Sequence, residues 1–171
     1  GENRVSEGGR KIGELGKDAG VFHAIGVLHR KEVRQAVRDF HWIDAVDQMR
    51  ILEELHRREA GNSILIEVNT SGEEAKKGFD PDGARLQEVV GWGLERGLNI
   101  RGFLTVGPLG AGETKLREAF ATLRELRNGV ESALGSELPV LSMGMSDDFA
   151  LAVAEGSTMV RLGRVLFGPR G

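Results

Sequence analysis

Two short segments near the C-terminus, residues 141–148 and 161–168, carry residue types suited to holding an anion. If both follow strands of a parallel sheet, the Ser142 hydroxyl, the backbone N–H groups around Gly163 and Arg164, and a helix start would together form a phosphate cradle. Neither segment matches a P-loop or the dinucleotide-binding GxGxxG fingerprint. The alternative is that the glycines in these segments only permit tight turns.

Arg161 is unusual because it lies within a short β-favouring run rather than on a polar helix face. An arginine inside a barrel is costly unless it meets an anion or a hydrogen-bond acceptor. The pattern therefore favours a ligand-facing role over a plain surface charge.

A long polar segment, residues 69–79, is a second candidate for function. Long loops in compact domains are often functional, although a solvated turn explains the same composition. The four histidines show no metal-ligand spacing and no HExxH motif, so we expect no metal site. Because no Gly-x-Ser-x-Gly elbow occurs, a hydrolase is not expected either.

Apolar runs alternate with amphipathic stretches along the whole chain, which is typical of βα units around a parallel sheet. Six runs predict strands: Val21–Ile25, Trp42–Val46, Ile64–Val68, Gly102–Val106, Val140–Met143 and Met159–Leu162. Five stretches between and after them predict helices: Lys31–Arg38, Asp47–Ala60, Gly83–Arg96, Lys115–Ala133 and Asp147–Glu155, the last with Ser146 as its N-cap.

A further amphipathic stretch, Glu7–Leu15, precedes the first predicted strand. In a βα pattern we expect it to follow a strand upstream of Gly1, so that the chain begins in the middle of a unit. An eight-stranded barrel lacking its first two strands fits this pattern, and an open doubly wound sheet of six strands fits the strand count equally well.

The composition excludes several classes of protein. Of 171 residues, 23 are Lys or Arg and 26 are Asp or Glu, so the formal charge is −3, which argues against a nucleic-acid or anionic-membrane partner. No cysteine is present, so thiolate chemistry and disulfides are excluded and a cytoplasmic protein is expected. The length predicts a single domain spanning residues 1–171.

Several motifs, in order along the chain, together resemble those of the pyridoxal phosphate homeostasis proteins, also called the YggS/PROSC family. The resemblance runs from Gly1 to Gly168 and is carried by Phe22-His23-Ala24-Ile25-Gly26, Ile66-Glu67-Val68-Asn69-Thr70-Ser71-Gly72-Glu73, Lys76-Lys77-Gly78-Phe79, Gly102-Phe103-Leu104-Thr105-Val106-Gly107-Pro108, Ser142-Met143-Gly144-Met145-Ser146-Asp147-Asp148-Phe149 and Gly156-Ser157-Thr158-Met159-Val160-Arg161-Leu162-Gly163.

This resemblance implies a (β/α)8 barrel of the alanine-racemase N-terminal type, here with strands three to eight and without the first two. It also implies a protein that binds pyridoxal 5′-phosphate, has no established catalytic activity, and acts in vitamin B6 and amino-acid homeostasis. A monomer is expected for the intact family fold. Two missing strands would leave unpaired edges, so association is expected for a truncated form.

The resemblance also assigns roles to residues. Ser142 and the backbone at Gly163 and Arg164 should hold the cofactor phosphate, and Arg161 should approach the pyridine nitrogen. Asn3 and His23 should lie near the barrel mouth, although His23 fits a hydrogen-bonded core histidine equally well.

Two departures limit what the resemblance implies. The family's Schiff-base lysine lies on the first strand, which the pattern places before Gly1, so no catalytic residue is assigned in this chain. If the chain itself forms a covalent adduct, Lys76 in the polar loop is the first candidate. The family's Leu-Gln-x-Asn-Lys run is replaced by residues 28–32, so the contacts of that loop do not transfer.

Two other functions remain open. One is an amino-acid racemase-like enzyme that uses the same cofactor, but related racemases need a second base, commonly a tyrosine, and this chain has no tyrosine. The other is an interaction module that binds no cofactor.

Overall fold

The computed structural model describes residues 1–73 and 75–168, and in them each strand is followed by a helix. The strands are β1 (His23–Ala24), β2 (Trp42–Val46), β3 (Ser63–Glu67), β4 (Asn99–Leu104), β5 (Val140–Met145) and β6 (Met159–Arg161). The helices are α1 (Val5–Leu15), α2 (Val33–Asp39), α3 (Met49–Arg57), α4 (Gly83–Glu95), α5 (Glu113–Leu134), α6 (Phe149–Ala154) and α7 (Arg164–Phe167), with 3-10 turns at Lys17–Ala19 and Arg30–Glu32.

The strand order decides between the two architectures that fit the sequence. All five neighbouring pairs are parallel, and the order in the sheet is β1-β2-β3-β4-β5-β6. A doubly wound sheet reverses its strand order at a switch point, and no reversal occurs among the described strands. Because βα crossovers have one hand, this order puts every helix on the same side of the sheet. The fold is therefore α/β, a six-stranded part of a (β/α) barrel.

Apolar residues alternate along the strands and separate the two faces of the sheet. Ile64, Ile66 and Val68 belong to one buried apolar cluster that also takes in residues of α1 to α6. The residues between them, Leu65 and Glu67, point to the opposite face because side chains alternate along a strand. We call that opposite face, the one away from the helices, the inner face.

The amphipathic pattern of α5 shows how the helices cover the sheet. One side of this helix carries its four buried residues, which are Ala119, Phe120, Leu123 and Val130. The backbones of β4 and β5 are in close contact at Gly102, where φ is +149°. A Cβ added there would overlap the carbonyl oxygen of Val140 on β5.

Helix α3 contains a buried charge that its amphipathic pattern does not predict. The Glu54 side chain is only 2% exposed and accepts hydrogen bonds from Arg57, Arg58 and Arg30 at 2.5–3.3 Å. The hydrogen bonds from Arg57 are the main cause that lowers the pKa of Glu54 to about 2. This carboxylate therefore joins the helix to the turn that follows β1.

Element boundaries follow the sequence predictions closely in most places. β2 begins and ends where predicted, and α4 differs only by one residue at its end. The first strand is shorter than predicted, at two residues, and β4 begins three residues earlier. The prediction of Ser146 as the N-cap of α6 is wrong, because that helix begins at Phe149 and Asp148 occupies the N-cap position.

Candidate functional site

The guanidinium of Arg161 joins three adjacent strands at their carboxyl ends. Its Nη1 donates to the carbonyl oxygen and to Oγ of Ser142, and its Nη2 donates to the carbonyl oxygen of Thr105, each at 2.8 Å. Burial lowers the pKa of this guanidinium, and the carboxylates of Asp44 and Glu67 oppose the shift together with Asp148. The predicted residues Arg161 and Ser142 are thus brought into direct contact on the inner face.

Ser142 lies deeper than a surface phosphate ligand would. Its side chain is fully buried, at 0% exposure, and its hydroxyl accepts the Arg161 hydrogen bond. Ser146, four residues further on, is only half-buried, and its Oγ accepts a hydrogen bond from the Val165 amide at 3.3 Å. Ser146 was predicted only as a helix cap, and its contact with Val165, near the start of the last helix, was not predicted.

The loops after β5 and β6 are tied to each other. Besides the Ser146 contact, Arg164 Nη2 forms an ion pair with the exposed carboxylate of Asp147. Gly163 lies beside this pair, and a Cβ added there would meet no atom within 4 Å, so the backbone is open to approach. Gly163 and Arg164, the predicted cradle residues, therefore lie side by side at the start of α7.

His23 forms a pair with an acidic residue that the sequence analysis did not identify. Its Nδ1 lies 3.0–3.1 Å from both carboxylate oxygens of Asp44, and its ring stacks on Trp42 with the ring centroids 5.1 Å apart. Asp44 is 1% exposed. Because Asp44 accepts from Nδ1–H, Nε2 is the ring nitrogen left to a ligand, and it makes no hydrogen bond within residues 1–73 and 75–168.

Asn3 lies at the carboxyl end of β1, held there by its backbone neighbours. Glu2 forms a bridge with Ala24 of β1, and the Asn3 carbonyl packs so closely on Gly26 that a Cβ there would overlap it. The Asn3 side chain is exposed. Asn3 therefore lies beside β1, the strand that carries His23.

Two further buried carboxyl groups lie at the carboxyl ends of β2 and β3, and neither was identified from the sequence. Asp47 follows β2 and Glu67 ends β3, and they are 8% and 9% exposed. Oδ1 of Asp47 and Oε2 of Glu67 have no hydrogen-bond partner among the described residues. Burial raises the pKa of Glu67, the Asp47 charge raises it further, and Arg161 opposes the rise.

The polar loop, residues 69–79, is ordered by its own side chains, with Glu74 outside the described residues. Lys76 Nζ donates to the carbonyl oxygen of Gly107 at 2.9 Å and pairs with Glu73 at 2.7 Å. Thr70 shares a hydrogen bond of 2.9 Å with Thr105, whose carbonyl oxygen also accepts from Arg161. The loop is therefore connected to the Arg161 site.

No group of three or more His, Cys, Asp or Glu side chains suited to a metal ion occurs within the described ranges. In the same part of the chain, every helix is too short or too polar to cross a bilayer.

The profile of the family described as "Alanine racemase, N-terminal domain" matches residues 3–171. Pyridoxal phosphate homeostasis proteins of Aquifex aeolicus and Pseudomonas aeruginosa are 38% and 37% identical to the chain over 99% of its length, and it covers 76% and 74% of theirs. The chain belongs to the alanine racemase N-terminal domain family. It spans about three quarters of the length of these curated relatives.

Solved structures agree with this assignment. PipY of Synechococcus elongatus, solved without PLP, is 33% identical and superposes with a TM-score of 0.89, over 98% of this chain and 80% of PipY. The structure of PipY with PLP bound superposes with a TM-score of 0.83 over the same shares. A D-threonine aldolase of Filomicrobium marinum, 21% identical with a TM-score of 0.68, shares the fold.

Proposed function

We propose that the chain binds pyridoxal 5′-phosphate at the carboxyl ends of its strands and acts in vitamin B6 homeostasis. The observation that carries this proposal is the 33% identity and the TM-score of 0.83 to PipY with PLP bound, over 98% of the chain. The names of the curated relatives support the same function.

The residues at the strand ends fit a phosphorylated ring. Ser146 offers a half-buried hydroxyl, Gly163 leaves its backbone open, and the two loops that carry them are tied by the Val165 amide. Phosphates bind where backbone N–H groups and a hydroxyl converge. The sequence predicts that Ser142 and the backbone at Gly163 and Arg164 hold the phosphate. Because Ser142 is fully buried and accepts a hydrogen bond from Arg161, we propose that Ser146 takes its place beside Gly163 and Arg164, and that Ser142 holds Arg161 in position.

Arg161 is proposed to face the ring nitrogen of the cofactor. When bound, the cofactor supplies an aldehyde that reacts with primary amines and a ring that withdraws electrons. An arginine holds its protons tightly, so it donates to the ring nitrogen without protonating it. Its bonds to Ser142 and Thr105 fix the position of the guanidinium. This arrangement favours holding the cofactor over catalysis.

The remaining predicted residues take peripheral roles in the proposal. His23, oriented by Asp44, presents Nε2 toward the ligand, and Asn3 lies beside it at the end of β1. We also propose one domain over residues 1–171, of which 169–171 lie outside the described part, because one apolar cluster runs from Val5 to Ala152. A monomer in the cytoplasm is the expected state, and sedimentation at micromolar concentration tests the monomer.

Calorimetric titration of the chain with pyridoxal 5′-phosphate tests the proposal. We expect saturable binding, and pyridoxal without the phosphate should bind more weakly. Ser146→Ala should weaken cofactor binding about tenfold or more, because a hydrogen bond to a charged group contributes about 1.5–3 kcal/mol. The matched control is Ser132→Ala, an exposed serine near the end of α5, which leads into the start of β5, whereas Ser146 follows the end of that strand.

Two results would contradict the proposal in different ways. No heat of binding with the unchanged chain would refute cofactor binding itself. Equal affinities for Ser146→Ala, Ser132→Ala and the unchanged chain would refute the phosphate site but leave the cofactor. Turnover of L-alanine to D-alanine would instead favour a racemase-like enzyme.

A further inference from the structure

Arg164 and Asp147 form an ion pair that bridges the two loops of the proposed phosphate site. Asp147 follows β5, Arg164 follows β6, and Nη2 of the arginine contacts Oδ2 of the carboxylate. Because β6 pairs with β5, the contact lies between these two strands and not at the other edge of β6. The two side chains are 62% and 73% exposed, so a dissolved anion can reach both of them.

This ion pair lies beside the groups that are proposed to hold the phosphate. Asp147 is the residue after Ser146, and Arg164 is the residue after Gly163. The Val165 amide donates to Oγ of Ser146 at 3.3 Å, so the two loops face each other here. No atom lies within 4 Å of a Cβ added at Gly163, which leaves space for an anion beside its backbone.

The charges of the two loops require a cation at a bound phosphate. A phosphate monoester carries a charge of about −1.5 to −2 at pH 7. Residues 141–148 contain two carboxylates, Asp147 and Asp148, and no lysine or arginine. Both Nη atoms of Arg161 already donate to neutral oxygen atoms. Arg164 is an exposed cation beside the site, and the carboxylate that holds it would repel a bound phosphate.

We propose that the Arg164 guanidinium leaves Asp147 to bind the phosphate of the ligand, and that Asp147 competes with the phosphate for it. Exposed ion pairs contribute little to stability, whereas arginine binds a phosphate through two parallel N–H···O bonds, so the exchange of partners favours the phosphate. This inference rests on the proposed function, because it concerns the same phosphate site. It adds a side-chain ligand to that site and a carboxylate that weakens binding.

Calorimetric titrations of Arg164→Gln and Asp147→Asn with pyridoxal 5′-phosphate test the competition. At low ionic strength, where surface charges are screened least, Arg164→Gln should weaken binding about tenfold. Asp147→Asn should strengthen it about threefold, because it frees the guanidinium and removes a negative charge. Neither variant should change the affinity for pyridoxal, which lacks the phosphate. The matched controls are Arg10→Gln and Glu14→Gln on α1, an ion pair of 2.6 Å with side chains 64% and 62% exposed, and both should bind as the unchanged chain does.

The opposite signs of the two effects separate this proposal from a structural role. If the ion pair only ties the loops together, both variants break it and both should weaken binding. Weaker binding by Asp147→Asn would therefore overturn the proposal, and so would an unchanged affinity of Arg164→Gln for pyridoxal 5′-phosphate.

A titration with inorganic phosphate separates this proposal from cofactor binding. The Nε–Hε signal of Arg164 in NMR spectra, assigned by its absence in Arg164→Gln, should shift saturably with phosphate and not with potassium chloride at equal ionic strength. In Asp147→Asn the shift should be complete at a lower phosphate concentration. If phosphate shifts this signal but pyridoxal 5′-phosphate does not bind, the proposed function fails and the role of Arg164 stands. If neither ligand moves the signal, the role of Arg164 is overturned.

Discussion

Replacing Arg161 by methionine tests whether its guanidinium holds the carboxyl ends of β4, β5 and β6 together. Methionine has a similar length but offers no donor and no charge. The substitution removes three hydrogen bonds of 2.8 Å, each with a net contribution of about 1 kcal/mol. It also removes the positive charge opposite Asp44 and Glu67, and breaking a buried ionic contact costs about 3–5 kcal/mol in comparable sites. Because these contributions overlap, we expect the free energy of unfolding to fall by about 3–5 kcal/mol.

Urea denaturation followed by circular dichroism, with linear extrapolation to water, measures this loss. The matched control is Arg164→Met, which removes an ion pair with Asp147 whose side chains are 62% and 73% exposed. Exposed pairs contribute about 0–1 kcal/mol, so the control should be close to the unchanged chain. Arg161→Lys keeps the charge but not the planar donor set, and its stability should fall between the two. If Arg161→Met is no less stable than Arg164→Met, the structural role assigned to Arg161 is refuted.

Three further outcomes are expected. Hydrogen bonds from arginines lower the pKa of Glu54 to about 2 from 4.5, so the stabilising effect of its charge is complete above pH 4.5 and is lost as the pH falls toward 2. The melting temperatures of Glu54→Gln and of the unchanged chain should therefore converge over that range. Melting temperatures that stay equally far apart would contradict this. Gly102→Ala should lower the free energy of unfolding by about 2–4 kcal/mol, because its Cβ would overlap the backbone of Val140. Gly129→Ala has open space around it on α5 and should raise the free energy of unfolding by about 0.5–1 kcal/mol. Chemical denaturation measures both. Asp44→Asn should reduce the share of His23 protonated at Nδ1, as read from imidazole ¹⁵N shifts, and an unchanged tautomer would show that Asp44 does not orient the ring.

Local patterns in the sequence were sufficient to predict most elements of the fold. β2 was predicted with its observed bounds, and α5 was found within two residues at its start and one at its end, because burial repeats every two residues in a strand and every three to four in a helix. The short β1 was overestimated because an apolar run shows burial but not where pairing with a neighbour stops. The helix α7 has four residues, too few to show a period, and was not predicted.

The sequence by itself determined the α/β class, the position of the candidate residues at the ends of strands, and the unusual character of Arg161. Only the tertiary structure decided that the strand order has no reversal, which separates a barrel from a doubly wound sheet. It also decided the partners at the site: Arg161 reaches Ser142 and Thr105, 19 and 56 residues away, and His23 reaches Asp44, 21 residues away. A pattern of burial is local and can be read from neighbouring residues, whereas these contacts depend on the register between strands that are distant in sequence. For the same reason no local signal marked Asp47 and Glu67 as buried and without a partner, although both are plain in the folded chain.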